Sequence, residues 1–504
     1  MKKKNIMVLL VLSCLLLTSC ANTQKAQEYK SLQDFQNKRI GVQSGTLYED
    51  HVYKKISDAE VELFTDPNAM LLSLSLGKLD AYVTDESAIG FERKQYPELK
   101  LIDEPLAVVP VGIGVGETPR KELLTKQMND FIANAEKNGT LSELKTYWIE
   151  NCDEDNNVTD RSNITGENGQ IIVAMEGAYV PFSYINGQVS EGYDVDFIYR
   201  FCREYGYEPV FELMEYDALS PALSTGKCDL ATNIIYDEER KEQVTLTSPY
   251  YNSVIVLGYF GNVKAKAFTI DNIIDGFEKT FIKDSRWMQF ASGALVTLII
   301  STFSILLGTI FGLILYIICR NKGKLINLLV DKISWLVEGT PTVLLLMIFY
   351  FIIFGNVNIE KVIVAVVVFT IIFTVSMFSM LTSGEKAVGP GQLEAALSQG
   401  FSEFVAYILI ILPQSAIHFL PQYCDEVVSL IKETSIVGYI AILDLTKVSD
   451  MIRGRTFEPF FPLIFTTVIY FLLSWLLTIG VKKLLRSLSP ATRDLDEVFR
   501  DIKR

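Results

Sequence analysis

FIKDSRWMQF ASGALVTLII STFSILLGTI FGLILYIICR NKGK, residues 281–324, changes the solvent for which the chain is written. Between Arg286 and Arg320 there is no charged side chain, and about 20 helical residues suffice to cross a hydrocarbon layer. The lead-in Phe281 to Trp287 is amphipathic, with a basic and aromatic anchor suited to a membrane boundary. Four more charge-free runs follow, at 339–359, 362–384, 404–424 and 459–481. Each is long enough to cross, so the reading predicts five helical crossings and places the two ends of the block on opposite sides. Arg320, Lys322 and Lys324 after the first run, and Lys482, Lys483 and Arg486 after the last, mark one face. The segment 425–458 is expected on the other face, yet it carries Lys432, Lys447, Arg453 and Arg455. The fourth run contains Pro413, His418 and Pro421, and the half-apolar stretch 427–443 is a second source for that crossing. Gly308 and Gly312 form a small-xxx-small pair, read as ordinary helix packing.

Outside this block the composition is different. The 504 residues carry 46 Lys+Arg against 60 Asp+Glu, a formal net charge of −14. Residues 21–286 account for −18 of it, residues 287–504 for +1, and residues 1–20 for +3. A uniform globular chain, a disordered chain and a coiled coil are excluded by this division. The absence of a concentrated basic patch excludes nucleic acid as the partner.

Residues 1–20 read as a signal: Lys2-Lys3-Lys4, the short apolar run Ile6 to Leu17, then Leu17-Thr18-Ser19-Cys20. The LTSC ending resembles the bacterial lipobox, which implies lipidation of Cys20 and an extracytoplasmic position for residues 21–286. The remaining cysteines show neither metal spacing nor a disulfide framework, and no metal site is expected.

The loop after the third run carries Glu394-Ala395-Ala396, then Gly400, Ile410 and Leu412-Pro413. On physical grounds this is a short helix stopped by a glycine, presenting small residues to a partner's groove. In order and spacing it resembles the EAA motif of permease subunits of ABC importers. Glu338-Gly339-Thr340-Pro341, Gly391-Gln392 and Lys432-Glu433-Thr434-Ser435 narrow the resemblance to polar amino-acid permeases of the glutamine/histidine type, over about 285–486. Glu338 stands where that family has arginine.

Strand-like runs alternate with helical patterns in 32–150 (Arg39–Gln43, Ala81–Thr84, Val111–Val115) and again in 170–258 (Ile171–Met175, Asp229–Asn233, Val254–Tyr259). Residues 151–169, acidic and rich in Asn and Gly, read as a linker. Pro181-Phe182-Ser183-Tyr184, Gly192 to Asp196, Glu239-Arg240-Lys241 and Pro249-Tyr250-Tyr251 resemble the first lobe of periplasmic-type amino-acid-binding proteins. Ile40 to Thr46, Gly77 to Ala81 and Asp85-Glu86 resemble their second lobe, and Gly139 to Trp148 their closing helix. The order of the lobes is therefore swapped relative to most of that family, as though the ends had been joined through the linker and the chain reopened at the hinge. The strand Val254–Tyr259 is then expected to lead to the membrane rather than cross between lobes, and one chain to hold one complete site.

A bound α-amino acid needs partners for both its charges. The resemblance implies Arg240 for the carboxylate and Asp85 for the ammonium. Ser44 and Thr46, with Gln43 beside them, match loop contacts to the ligand. Tyr179 and Tyr216 match aromatic walls, and Glu176 a side-chain contact. Ile235, Tyr236 and Asp237 depart from the small and hydroxyl residues that usually precede the arginine, so one carboxylate donor is expected to be missing.

The fold class expected is thus a two-lobed α/β binding domain of type II in circularly permuted order, followed by an all-α transmembrane permease of about five helices. The divisions are 1–20 signal, 21–150 lobe 2 with the closing helix, 151–169 linker, 170–262 lobe 1, 263–286 lead-in, 287–486 permease and 487–504 tail. The function implied is a receptor-permease subunit of an importer in a bacterial cytoplasmic membrane, with its C-terminus cytoplasmic. It is a transporter subunit and not an enzyme. No GxxxxGK[ST] loop is present, so ATP and Mg are expected on a separate ATPase docking at 385–403. Five spans are few for a pathway, and a homodimer of the permease is expected. A ligand-gated channel lacks a filter such as TVGYG here, and a membrane-tethered sensor lacks an output domain after Val481.

Overall fold

β1 (Arg39–Gln43), β2 (Glu60–Phe64) and β3 (Ala81–Asp85) pair in parallel, with β1 in the middle. Parallel neighbours need crossovers, and α1 (Tyr48–Lys55) and α2 (Pro67–Ser75) supply them. Asp66 starts α2 by accepting a bond from the Asn68 amide, with Pro67 in the first turn. α3 (Ile89–Gln95) and β4 (Leu99–Leu101) complete this β1 lobe. The computed structural model describes residues 28–151, 157–186, 189–236, 244–261, 270–320, 324–355, 357, 359–456, 458 and 460–488.

β5 (Ala107–Val115) leads out of the β1 lobe to α4 (Lys121–Lys137) and α5 (Thr140–Lys145). The second lobe, here the β6 lobe, contains β6 (Gln170–Met175), a small sheet of β7 (Ala178–Tyr179), β8 (Ser183–Asn186) and β9 (Val189–Glu191), and α6 (Tyr193–Tyr205). β10 (Glu208–Leu213), α7 (Tyr216–Ser224), β11 (Leu230–Ile235) and β12 (Thr245–Leu246) follow. Gly192, at φ +124°, opens α6, and a side chain there would strike the Phe182 carbonyl. α4 and α5 pack on this lobe: Phe131 meets Phe197 and Phe201, and the buried Trp148 donates to Asp196 at 3.0 Å. The described part of the linker is docked too, with Arg161 on Glu191 and Arg203 on Asp160.

β13 (Tyr251–Phe260) corrects one expectation, because it crosses between the lobes. Tyr251 to Ile255 pair with β5, and Ile255 to Phe260 pair with β3 and β4. β5 does the converse, pairing with β11 and β12 at its far end. Ten extended residues reach about 33 Å, long enough to serve both lobes before the chain turns to the membrane. The strands thus form one sheet in the order β10-β6-β11-β5-β13-β3-β1-β2.

After α8 (Ile270–Phe277) the apolar block begins with α9 (Trp287–Arg320). The second charge-free run is not one straight span. α10 (Lys324–Gly339) and α11 (Thr342–Met347, continuing as a wider turn to Ile353) meet at 105°. Pro341 is the cause, since it cannot donate to the preceding turn and drives Thr340 out of helical geometry. α12 (Lys361–Val388) lies parallel to α9: Ser304 bonds the Val366 carbonyl, Gly308 faces Phe373, Gly312 faces Met377, and Arg320 pairs with Glu385. Two parallel helices in sequence require the chain between them to return, so the bent pair makes that passage.

α13 (Gly391–Ser398) and α14 (Glu403–Ala406) follow, and then α15 (Leu412–Glu433), antiparallel to α12 through Ser376 to Glu426 and Gly384 to Ser415. α15 extends as one long element over 403–440, so Lys432 lies on the spanning helix and not in a loop. α16 (Leu445–Thr456) lies across the lobes, and α17 (Phe460–Leu488) makes the last passage. Among the described residues four helices are long and apolar enough to cross, five with the bent pair. A side chain at Gly308 or Gly312 would meet Phe373 or Met377 at 2.7 and 2.6 Å, so these glycines set the closeness of α9 to α12.

Candidate functional site

Where β1, β3 and β13 end against the β6 lobe, the two lobes touch. Gln43 donates to Glu176 at 2.7 Å across the cleft, and Asn68 donates to the Ala178 carbonyl at 3.0 Å. Asp85, at the end of β3, is 1 % exposed. Its oxygens accept bonds from Ser253, from Tyr251 at 3.1 Å and from the Ser87 amide at 2.7 Å. Burial raises its carboxyl above the ordinary range while those bonds oppose the rise.

Glu176 is buried as well. Burial pushes its carboxyl up to about 8, the neighbouring Glu215 adds to the rise, and the Gln43 bond and the Lys447 ammonium oppose it. Tyr179 stacks on Phe182 at 5.1 Å and lies within electrostatic reach of Asp85 and Glu176. Tyr216 is buried and accepts from the Ile235 amide at 3.3 Å. Gln43, Asp85, Glu176, Tyr179 and Tyr216 therefore converge. Ser44 and Thr46 lie on the loop after β1. The buried Ser44 hydroxyl has no partner among the described residues, and Thr46 donates to the Gln43 carbonyl at 2.6 Å. Arg240 and Cys20 lie outside the described residues. Ile235 is buried in β11, and the ring of Tyr236 lies over Gly112.

Three residues of this cluster were missed. Tyr48 is buried within electrostatic reach of Asp85 and Tyr216, and burial raises its hydroxyl. Tyr251 and Ser253 hold Asp85 from the hinge strand. Pro249-Tyr250-Tyr251 was visible as a motif, but its contact with Asp85 needs β13 to cross beside β3.

At the other end of the molecule, α13 presents Glu394 and Ala395 to the outside while Ala396 is buried. Its end is a Schellman turn: the Phe401 amide bonds the Ala396 carbonyl and the Gly400 amide bonds the Leu397 carbonyl. Gly400 has φ +86°, with open space around it, so the backbone alone demands the glycine. Arg320 pairs with Glu385 at 3.3 Å and Glu403 at 3.7 Å, tying the loop to the ends of α9 and α12 remote from the lobes.

Residues 171–340 match bacterial extracellular solute-binding proteins, family 3, and residues 305–490 match the binding-protein-dependent transport system inner membrane component. The chain is 30 % identical over 199 residues to the probable glutamine ABC transporter permease protein of Bacillus subtilis, covering 38 % of this chain and 90 % of that one. It is 28 % identical over 193 residues to the putative glutamine transport system permease protein of Rickettsia felis, covering 38 % and 88 %. It is 27 % identical over 203 residues to the histidine/lysine/arginine/ornithine transport system permease protein of Salmonella typhimurium, covering 37 % and 84 %.

Proposed function

The chain belongs to the binding-protein-dependent transport system inner membrane components, and from that premise we propose that it captures a polar amino acid between its lobes and passes it across the membrane. It is an integral membrane amino-acid ABC transporter permease fused to a binding domain, and not an enzyme. The observation that carries the finer reading is the disposition of two sites in one chain. A cleft with buried Asp85 and Glu176 sits at one end of the helices, and the Glu394-Ala395-Ala396 to Gly400 turn sits at the other.

In this reading Asp85 receives the ammonium and Arg240 the carboxylate, with Gln43, Ser44, Thr46, Glu176, Tyr179 and Tyr216 around them. The family match beginning at residue 171 supports the swapped lobe order, as does the pairing of β5 with β13 between the lobes. The lobes face outward, the C-terminus is cytoplasmic and Cys20 carries the lipid. ATP and Mg belong to a separate ATPase seated on the 385–403 loop.

A homodimer is supported by α15. His418, Gln422, Asp425 and Lys432 are exposed along one helical face, with half-buried Ser429 between them. A charge facing hydrocarbon costs about 2.5–3.5 kcal/mol at a helix centre, so this stripe suits a watered path shared with a second copy.

The test uses Glu394→Ala and Gly400→Val in the full chain with its ATPase. Both variants should lose uptake and ATPase coupling while amino-acid binding to the chain survives. Unchanged transport in both would refute the assignment.

A further inference from the structure

A cavity of about 310 Å³ lies where three bodies meet: the β1 lobe, the β6 lobe and α16. Its charged walls are Asp66 from the first, Glu176 and Glu215 from the second, and Lys447, Asp450 and Arg453 from the third. Lys447 pairs with Glu215, and Arg453 pairs with Asp66 at 3.4 Å and Asp450 at 3.0 Å. Among the described residues, the buried Nε of Arg453 has no partner. Glu176 belongs to two places at once, holding Gln43 across the cleft and forming part of this chamber's wall.

We propose that the chamber is a transfer site for a free α-amino acid between receptor and membrane domain. The ammonium lies against Asp66 and Glu215, and the carboxylate against Lys447 and the guanidinium of Arg453. The inference rests on the amino-acid reading of the cleft for its choice of ligand.

The chemistry follows from the charges. A zwitterion leaving a closed cleft carries two charges that are costly to leave unpaired away from water. In the chamber each cation already has a carboxylate, so an entering zwitterion exchanges partners and strands no group. A volume near 300 Å³ is at the lower limit of small-molecule pockets and suits a single amino acid. Glu176 is placed to contact the ligand on both sides of the step.

Ala69 lines the chamber without taking part in its ion pairs, so Ala69→Cys gives a reporter. The full chain in nanodiscs is treated with N-ethylmaleimide, with the chain lacking the new cysteine as background. Millimolar L-glutamine, L-arginine or L-glutamate is added in separate arms. The same measurement is repeated with Asp85→Asn, which removes ligand from the cleft, and calorimetry on the Lys447→Met plus Arg453→Met chain follows cleft binding separately. At least one amino acid should slow modification about tenfold near nine-tenths occupancy. The protection should persist with Asp85→Asn and disappear with Lys447→Met plus Arg453→Met. Protection lost with Asp85→Asn alone, or absent in every arm, overturns the transfer site. Calorimetry without binding in the Lys447→Met plus Arg453→Met chain, alongside retained protection in the unaltered one, overturns the cleft reading and leaves the chamber standing.

Discussion

Glu176→Gln removes a charge from the cleft without removing a contact, because an amide oxygen still accepts the 2.7 Å bond from Gln43. Burial raises the carboxyl from 4.5 to about 8 in the closed chain. Each unit corresponds to about 1.4 kcal/mol, so ionisation opposes closure by up to about 5 kcal/mol. Separating the lobes is enough to return the carboxylate to water, so the charge acts on opening before it acts on unfolding. The sign follows from proton linkage. The closed form binds the proton more tightly, so its advantage is complete below 4.5, declines as pH rises, and is exhausted above about 8. Labels on exposed Glu62 of the β1 lobe and Glu208 of the β6 lobe report the separation by spin–spin distance measurement. In the unliganded full chain the distance should lengthen across that window, and Glu176→Gln should hold it short throughout. Superimposable pH profiles for the two chains would refute the reasoning.

Gly308→Leu should lower the thermal stability of the membrane domain by about 1–3 kcal/mol through overpacking against Phe373. Gly480→Leu, in open space on α17, should not, and melting of both in the same detergent checks this. Trp148→Phe takes the indole donor from Asp196, which keeps its Arg200 bond at 3.1 Å. It should cost the lobes about 1–2 kcal/mol, read as faster amide exchange in α6.

How much was legible depended on the reach of each signal. Absence of charge over twenty residues is a local count, and it located the long apolar helices found among the described residues. The same count is blind to a proline, so the bend at Pro341 went unread although Gly339-Thr340-Pro341 stood in plain sight. Arg39–Gln43 and Ile171–Met175 were readable because parallel buried strands are nearly continuous apolar runs. The near halves of β5 and β13 were not, because Pro110, Asn252 and Ser253 interrupt the pattern. Those interrupted halves are the hinge, and with them went Tyr251 and Ser253, the partners of Asp85. The cluster around Lys447 was out of reach for a different reason: its partner Glu215 is more than 200 residues away, and no local pattern joins them.

Fusion of a receptor to a permease changes which step discriminates. The lobes and the helices belong to one chain, and covalent linkage of this kind gives an effective concentration of about 1 mM. Encounter then occurs whether or not the cleft is filled, so proximity carries no information about the ligand. The contacts of α16 do carry it. Arg453 holds Asp66 on the β1 lobe, while Lys447 holds Glu215 and Arg455 holds the Ile185 carbonyl and Asn186 on the β6 lobe. A twelve-residue helix is a rigid rod of about 18 Å, and it cannot follow two lobes that move apart. Both sets of bonds form together only over a closed cleft, so whatever closes the cleft strengthens docking, and docking strengthens closure by the same factor. This also accounts for the basic residues that ran against the charge rule in 425–458. Lys447, Arg453 and Arg455 are placed by the acids and carbonyls of the lobes they contact, so their position follows from the lobes and does not report a membrane face.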